Sequence, residues 1–174
     1  MENVTNLIEP KIRLTDILKL IIATGFGLGL LPIAPGSFGA LLGVAGHIIV
    51  VQYCPAVIQL FALISFLIVV CLAHYWLSPW AVKYWNNPDP KNFILDEIAG
   101  YLVVPILFNH GNLWQIAAVG YVVFRVFDVI KLPIARQIDR NMHNATGIIL
   151  DDIVSGLYTV ILMFFLRYCC YAAL

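Results

Sequence analysis

VIQLFALISFLIVVCLAHYWLS, residues 57 to 78, contains no charged side chain and is long enough to cross the hydrocarbon core of a bilayer as a helix. The rest of the chain is similarly apolar, because 61% of its 174 residues are hydrophobic, against roughly 45–50% in soluble domains. This composition predicts an integral membrane protein. Since backbone polar groups inside lipid must pair within their own segment, we expect the spans to be helices.

Four further apolar runs have the length of a span; they are residues 37–53, 93–108, 113–130 and 147–167. A turn at Cys54-Pro55 joins the first two spans as an antiparallel hairpin. The sequence therefore predicts an all-α integral membrane protein, a compact bundle of about five transmembrane helices that forms a single domain over residues 1–174.

The N-terminal part of the chain differs from these runs. Residues 1–16 are polar and mixed in charge, which predicts a short segment on the membrane surface. Residues 17–36 are apolar but contain four glycines and two prolines, a composition that disfavours a straight span. We expect a broken, re-entrant or interfacial element there.

Basic residues indicate the orientation of the chain. Lys and Arg occur before the first span and in the polar segments 79–92 and 131–146, whereas the turns near residues 54 and 110 have none. Because short cytoplasmic loops are enriched in Lys and Arg, this pattern places the N-terminus and both polar segments in the cytoplasm. Arg167 is the one charge that does not fit.

Several classes of protein are disfavoured by composition. The formal net charge is zero, whereas nucleic-acid binders normally carry a basic excess, so no nucleic-acid partner is expected. The four cysteines have no C-x-x-C or Cys/His spacing, which argues against a zinc site or a disulfide framework. His47, His74 and His110 have mainly apolar neighbours, which favours packing or interfacial roles.

Carboxylates gather at one end of the predicted bundle. The set comprises Asp96, Glu97, Asp128, Asp139, Asp151 and Asp152. Ionised side chains within a membrane are costly unless they are paired or functional, so this many acids at one depth predict a bound cation. Mg²⁺ is the natural candidate, because it binds a few carboxylates while phosphate and water complete its coordination.

Cations lie beside these acids. Arg125, Asp128 and Lys131 are spaced three apart and share one face of the fourth span. A short amphipathic helix over the site is predicted by i, i+3, i+4 spacing in the next loop, which contains Arg136, Asp139, Arg140 and His143. Such a helix can hold an anionic headgroup.

A glycine-rich stretch, residues 24–29, followed by Pro35-Gly36-Ser37, is a further candidate for phosphate contacts. Its backbone N–H groups and the hydroxyls of Thr24 and Ser37 can donate to phosphate oxygens. The stretch lacks the G-K-[ST] ending of a P-loop. The residues by themselves thus predict a metal-dependent site for an anionic membrane substrate.

Three blocks of sequence resemble the phosphatidylglycerophosphatase A family: ATGFGLGLLPIAPGSFGA (23–40), ILDEIAG (94–100) and FRVFDVIKLPIARQIDRNMHNATGIILDDIVSG (124–156). The resemblance implies Mg²⁺-dependent hydrolysis of the terminal phosphomonoester of phosphatidylglycerophosphate, giving phosphatidylglycerol, at the cytoplasmic face of a bacterial inner membrane. The sequence departs from the family at Ser37, where Thr is more common, at Ala40, where Thr or Ser is more common, and at Leu132, where the family's Lys-Pro-x-Pro form has proline.

The six acids match the family's motifs together with the cations Arg125, Lys131 and Arg140, and with the residues around them they allow a hypothesis of the mechanism. The predicted metal ligands, for one or two Mg²⁺ ions that activate a water, are Asp96, Glu97, Asp151 and Asp152. The predicted substrate-binding residues are Thr24, Ser37, Arg125, Lys131, Asp139 and Arg140. Asp128 is either another ligand or the base, with an aspartyl-phosphate intermediate as a further variant, and His143 protonates the leaving glycerol oxygen.

Two other functions are weighed against this one. An ion- or proton-coupled transporter also uses intramembrane acids, but it is expected to hold them near mid-bilayer and often has repeated halves. A non-enzymatic scaffold leaves the acids unexplained. Helix capping favours acids in first turns, yet capping does not require doubled acids at Asp96-Glu97 and Asp151-Asp152 on two separate helices.

Overall fold

The computed structural model of the protein describes residues 13–142 and 144–172, with side chains described as far as residue 169. Most of residues 1–16 and the predicted proton donor His143 lie outside the described residues. A short 3-10 helix spans Leu28–Leu30. The α-helices are α1 (Leu14–Ala23), α2 (Pro35–Tyr53), α3 (Ala56–Trp85), α4 (Leu95–Leu107), α5 (Leu113–Ile130), α6 (Pro133–Asn141) and α7 (Ala145–Ala172).

Four helices in the described part of the chain are long and apolar enough to cross a membrane: α2, α3, α5 and residues 145–169 of α7. Their outward faces carry large apolar side chains such as Phe61, Val69 and Ile161, each more than half exposed. Surfaces of this kind are stable in contact with lipid and unfavourable in water. The predicted all-helical membrane fold is confirmed.

The predicted span at 93–108 forms α4, the centre of the bundle. With 13 residues, α4 is about 20 Å long, shorter than a bilayer core of about 30 Å. It packs against α2, α3, α5 and α7, and most of its side chains are buried. The helix therefore contributes the core of the protein, while the four longer helices meet the lipid.

Glycines allow the other helices to approach α4 closely. A β-carbon on Gly43 of α2 would lie 2.9 Å from the Tyr101 ring, and one on Gly156 of α7 would lie 2.3 Å from the Gly100 carbonyl oxygen. Neither position has room for a side chain. Small residues at such crossings are typical of membrane helices, whose association depends on close van der Waals packing.

Helix α3 is longer than the sequence indicates. It continues through Pro79 to Trp85, so residues 79–85 are helical rather than part of the predicted polar loop 79–92. The rings of Trp80, Tyr84 and Trp85 pack on one another in this last part, with centroids 4.8–5.8 Å apart. Proline is tolerated inside membrane helices when neighbouring groups satisfy the freed backbone, and this aromatic packing stabilises the extension.

The N-terminal element is broken, as predicted, and it stays at one end of the bundle. Asp16 near the start of α1 accepts a hydrogen bond from the Trp80 indole at 3.2 Å. After α1, Gly25 and Gly27 adopt positive φ values of 52° and 91°, which glycine permits at little cost. Asn92 then donates to the Gly29 carbonyl at 2.7 Å, which ties this turn to the segment before α4.

Candidate active site

Three carboxylates form a cluster between α4 and α7. Asp96 and Glu97 lie in the first turn of α4, and Asp152 lies near the start of α7. One oxygen from each group lies within 4.8 Å of the others. Asp96 and Asp152 are 7% and 4% exposed. Three of the four residues predicted as metal ligands therefore lie together in one cluster.

The cluster has unsatisfied bonding capacity. Asp96 Oδ1, Glu97 Oε2 and Asp152 Oδ2 are buried without a hydrogen-bond partner among the described residues. Buried carboxylate oxygens are normally paired, since an uncompensated charge in a low-dielectric interior is strongly unfavourable. Oxygen atoms grouped in this way suit a hard divalent cation such as Mg²⁺.

Glycines bring the three acids together. A β-carbon on Gly36, in the first turn of α2, would lie 2.1 Å from Glu97 Oε1, so glycine leaves space for this carboxylate where a larger residue would displace it. A β-carbon on Gly100 would lie 2.8 Å from the Asp152 carbonyl oxygen. The acid cluster thus depends on close helix crossings at both Gly36 and Gly100.

Asp151, the fourth predicted ligand, is bonded differently. Lys131 Nζ donates to Asp151 Oδ2 at 2.5 Å and to Asp139 Oδ1 at 2.6 Å. Lys131 thereby joins α6 to α7 just after the end of α5. Burial by itself would lower the pKa of the Lys131 ammonium, but the two carboxylates outweigh burial and raise this pKa. Asp151 Oδ1 has no described hydrogen-bond partner.

Arg125 and Asp128, which the spacing predicts to share one face of α5, form an ion pair on the C-terminal part of that helix. Their side chains are 17% and 12% exposed, so the pair is shielded from solvent. Arg125 Nε is buried without a described acceptor. A guanidinium presents donors in a planar fork, and Arg125 therefore keeps donor capacity for an anion.

A cavity of about 650 Å³ connects these groups. Its walls include all four predicted metal ligands together with Ser37, Arg125, Asp128 and Lys131. Clefts of roughly 300–1,000 Å³ are typical of small-molecule sites. The cavity offers acids, cations and the start of helix α2 within one space, an arrangement suited to binding a metal and a phosphate together.

Three predicted substrate contacts lie away from this cavity. Thr24 is fully buried, and its hydroxyl donates to the Leu20 carbonyl at 2.7 Å and accepts from Gly27 N at 3.0 Å, so it holds the turn after α1. Within the described residues, Asp139 is linked to the site by its hydrogen bond from Lys131. Arg140 is exposed and lines a separate surface depression on α6.

The cavity also contains residues to which sequence reasoning gave no role in the site. Asp89 and Lys91 line it from the loop before α4. The sequence indicates them only by their position, because the loop directly precedes the acidic pair Asp96-Glu97.

Comparison with known proteins identifies a matching family and several relatives. The family described as Phosphatidylglycerophosphatase A matches residues 21–167. Phosphatidylglycerophosphatase A of Escherichia coli strain K12 is 33% identical over 146 residues, which cover 84% of this chain and 81% of that protein. The Haemophilus influenzae protein of the same name is 30% identical over 159 residues, 91% of this chain and 93% of the relative.

A third relative carries a different name. A Bacteroides thetaiotaomicron protein, named provisionally as a phosphatidylinositol-3-phosphatase, is 30% identical over 149 residues, 84% of this chain and 91% of that protein. No solved structure gives a significant match. The family match covers all of the acids and cations that line the cavity, and the chain belongs to the phosphatidylglycerophosphatase A family of phosphatases.

Proposed function

We propose that the protein hydrolyses the terminal phosphomonoester of phosphatidylglycerophosphate, giving phosphatidylglycerol and inorganic phosphate, with Mg²⁺ held by Asp96, Glu97 and Asp152. The observation that carries the proposal is the group of three buried carboxylates with unpaired oxygens, in one cavity with Arg125. The names of two relatives support this substrate.

The residues of the cavity have distinct roles in this reaction. Bound Mg²⁺ supplies a Lewis acid for the phosphate oxygens and lowers the pKa of water. Arg125 offsets the negative charge on the phosphoryl oxygens, because its buried Nε has no acceptor in the part of the chain that the structure describes. The start of α2, with Gly36 and Ser37 on the cavity wall, places the positive end of a helix dipole beside the phosphate.

Asp128 and Lys131 act through other residues. Asp128 forms an ion pair with the Arg125 guanidinium on the cavity wall. We therefore assign Asp128 to holding the Arg125 guanidinium in the cavity, rather than to the predicted roles of base or ligand. Lys131 holds the Asp151 carboxylate against the cavity wall.

Phosphate release from purified protein tests the proposal. We expect release from phosphatidylglycerophosphate that requires Mg²⁺ and stops on chelation, with slower release from phosphatidic acid and phosphatidylinositol 3-phosphate. Asp152→Asn should lower kcat by roughly 100-fold or more. Asp16→Asn is the matched control, since Asp16 contacts Trp80 outside the cavity.

Specific outcomes would overturn each part. Absence of phosphate release from phosphatidylglycerophosphate with Mg²⁺ present would refute the substrate. Full activity in the presence of chelator would refute the requirement for Mg²⁺. Equal activity of the Asp152→Asn and Asp16→Asn variants would refute the assignment of Asp152 to the active site. The transporter alternative has no support, because the acids line one cavity at one end of the bundle.

We further propose that this end faces the cytoplasm of a bacterial inner membrane. Lys91 and Lys131 line the cavity, and Lys83, Arg136 and Arg140 lie in or beside the adjoining loops. The positive-inside rule places such segments in the cytoplasm. A single cysteine introduced at Gln137, in a variant without native cysteines, should react with a membrane-impermeant thiol reagent only after cells are opened; labelling of intact cells would reverse the orientation.

A further inference from the structure

The mouth of the cavity has two chemically different rims. Asp89 and Lys91, both exposed, form a polar rim on the loop before α4. Pro32 and Ala34, in the segment before α2, and Val129, in the last turn of α5, form the other rim. We call this second set the apolar rim.

The apolar rim faces outward as well as into the cavity. Val129 is 72% exposed, and Ile33, between Pro32 and Ala34, is 78% exposed. In a membrane protein, large apolar side chains with this exposure lie against lipid. The deeper walls include buried parts of α4 and α7, with Asp96 and Asp152. The cavity is therefore open to lipid at the apolar rim and to water at the polar rim.

The apolar rim is held in a fixed shape. Prolines at 32 and 35 restrict the backbone on both sides of Ile33. Ala34 adopts a left-handed conformation with φ 49°, which is unfavourable for a residue with a β-carbon. Tyr121 donates to the Ser37 carbonyl at 3.4 Å and so links α5 to the start of α2. The two sides of the rim are thus joined by direct contact between their helices.

We propose that the acyl chains of the substrate lipid leave the cavity across the apolar rim, between Ile33 and Val129, so that the substrate enters sideways from the bilayer. The proposal rests on the proposed function and adds where the diacylglycerol part lies. A phosphomonoester carries a charge of about −1.5 to −2 near pH 7, and this charge suits Arg125 and the metal site. The two acyl chains require a path that avoids water, and the apolar rim provides one.

The same geometry separates the two products. Phosphatidylglycerol keeps its acyl chains in lipid and can return through the apolar rim. Inorganic phosphate is small and strongly hydrated, and the polar rim with Lys91 gives it a path to water. Water for the hydrolysis reaches the cavity from the same side.

Photolabelling of the unaltered protein tests where the acyl chains lie. The probe is phosphatidylglycerophosphate with a diazirine midway along one acyl chain, present at low density in phosphatidylcholine vesicles containing Mg²⁺, and labelled peptides are located by mass spectrometry. We expect labelling at Ile33 and Val129 that falls when excess unlabelled phosphatidylglycerophosphate competes. Labelling at Val122, two turns earlier on α5 and 57% exposed, should not change, because bulk lipid contacts it. The proposal would be overturned if excess unlabelled phosphatidylglycerophosphate reduced labelling at Val129 no more than labelling at Val122.

Kinetics with two chain lengths provides a second test. Val129→Asn should lower kcat/KM for dioleoyl substrate about tenfold more than kcat/KM for the dihexanoyl analogue, a difference of about 1.4 kcal/mol. The matched Val122→Asn variant should keep the ratio of the unaltered protein. Equal losses for both substrates in Val129→Asn, or the same change of ratio in Val122→Asn, would refute the passage. Absence of phosphate release from either substrate in the unaltered protein would instead refute the proposed function, and the photolabelling result would then still test the passage.

Discussion

Gly36→Ala tests whether catalysis depends on the exact position of the Glu97 carboxylate, because the substitution should disturb that position with little effect on the stability of the fold. A β-carbon on Gly36 would lie 2.1 Å from Glu97 Oε1 and 3.3 Å from Arg125 Nη1. Carbon–oxygen contacts normally lie at roughly 3.3–3.6 Å, so the carboxylate must move by about 1.2 Å. Mg²⁺ requires near-ideal octahedral geometry with bonds of roughly 2.0–2.1 Å. A carboxylate shift of about 1.2 Å is much larger than the roughly 0.1 Å range of these bond lengths.

The expected effect falls on catalysis. A misplacement of about 1 Å can lower a rate roughly 100-fold, and we expect kcat/KM for phosphatidylglycerophosphate to fall about 10- to 100-fold. This corresponds to about 1.4–2.7 kcal/mol of transition-state stabilisation. The melting temperature should change little, because the short contact falls on the movable end of the Glu97 side chain rather than on backbone or a packed ring. Phosphate release in detergent micelles, measured over a range of Mg²⁺ concentrations, gives the first quantity, and thermal unfolding gives the second.

Gly46→Ala is the matched control on the same helix. Its β-carbon would lie 2.2 Å from the Phe66 ring, an equally short contact that involves no acid. Overpacking of this kind costs roughly 1–3 kcal/mol of stability, so the melting temperature should fall while activity per folded molecule stays near normal. The reasoning is refuted if Gly36→Ala keeps kcat/KM within twofold at every Mg²⁺ concentration, or if Gly46→Ala loses as much activity per folded molecule.

Three further substitutions test other contacts. Lys131→Met removes the ammonium that lies 2.5 Å from Asp151 Oδ2, and we expect the free energy of unfolding to fall by about 1–3 kcal/mol. This is less than the roughly 3–5 kcal/mol lost when a fully buried pair is broken, because Lys131 is 27% exposed. An unchanged unfolding midpoint would contradict this expectation. His74→Phe keeps a ring but loses the 2.9 Å hydrogen bond to the Ala145 carbonyl. Thermal unfolding should show that the free energy of unfolding falls by about 1 kcal/mol, while activity is retained. A variant as stable as the unaltered protein would argue against a stabilising role of this hydrogen bond. Arg125→Lys keeps the charge but loses the guanidinium fork, so kcat should fall by about tenfold or more, and normal turnover would show that charge alone suffices.

The sequence carried most of the information about the helices. Apolar runs at 37–53 and 113–130 correspond to α2 and α5 almost residue by residue, and the amphipathic spacing around Arg136 and Arg140 corresponds to α6. Local patterns succeed here because burial in lipid depends on the composition of each segment. The short α4 and the extension of α3 past Pro79 are different, because packing against other helices and aromatic contacts decided them.

The sequence by itself determined that acids, Arg125 and Lys131 would gather at one end of a helical membrane protein, since helix ends and loop charges fix depth. The sequence could not determine which of two neighbouring acids joins the carboxylate cluster and which one pairs with a cation. Asp151 and Asp152 are adjacent in the chain, but successive residues on a helix point about 100° apart. Only the packing of α7 against α4 and α6 decided that Asp152 joins Asp96 and Glu97 while Asp151 bonds to Lys131.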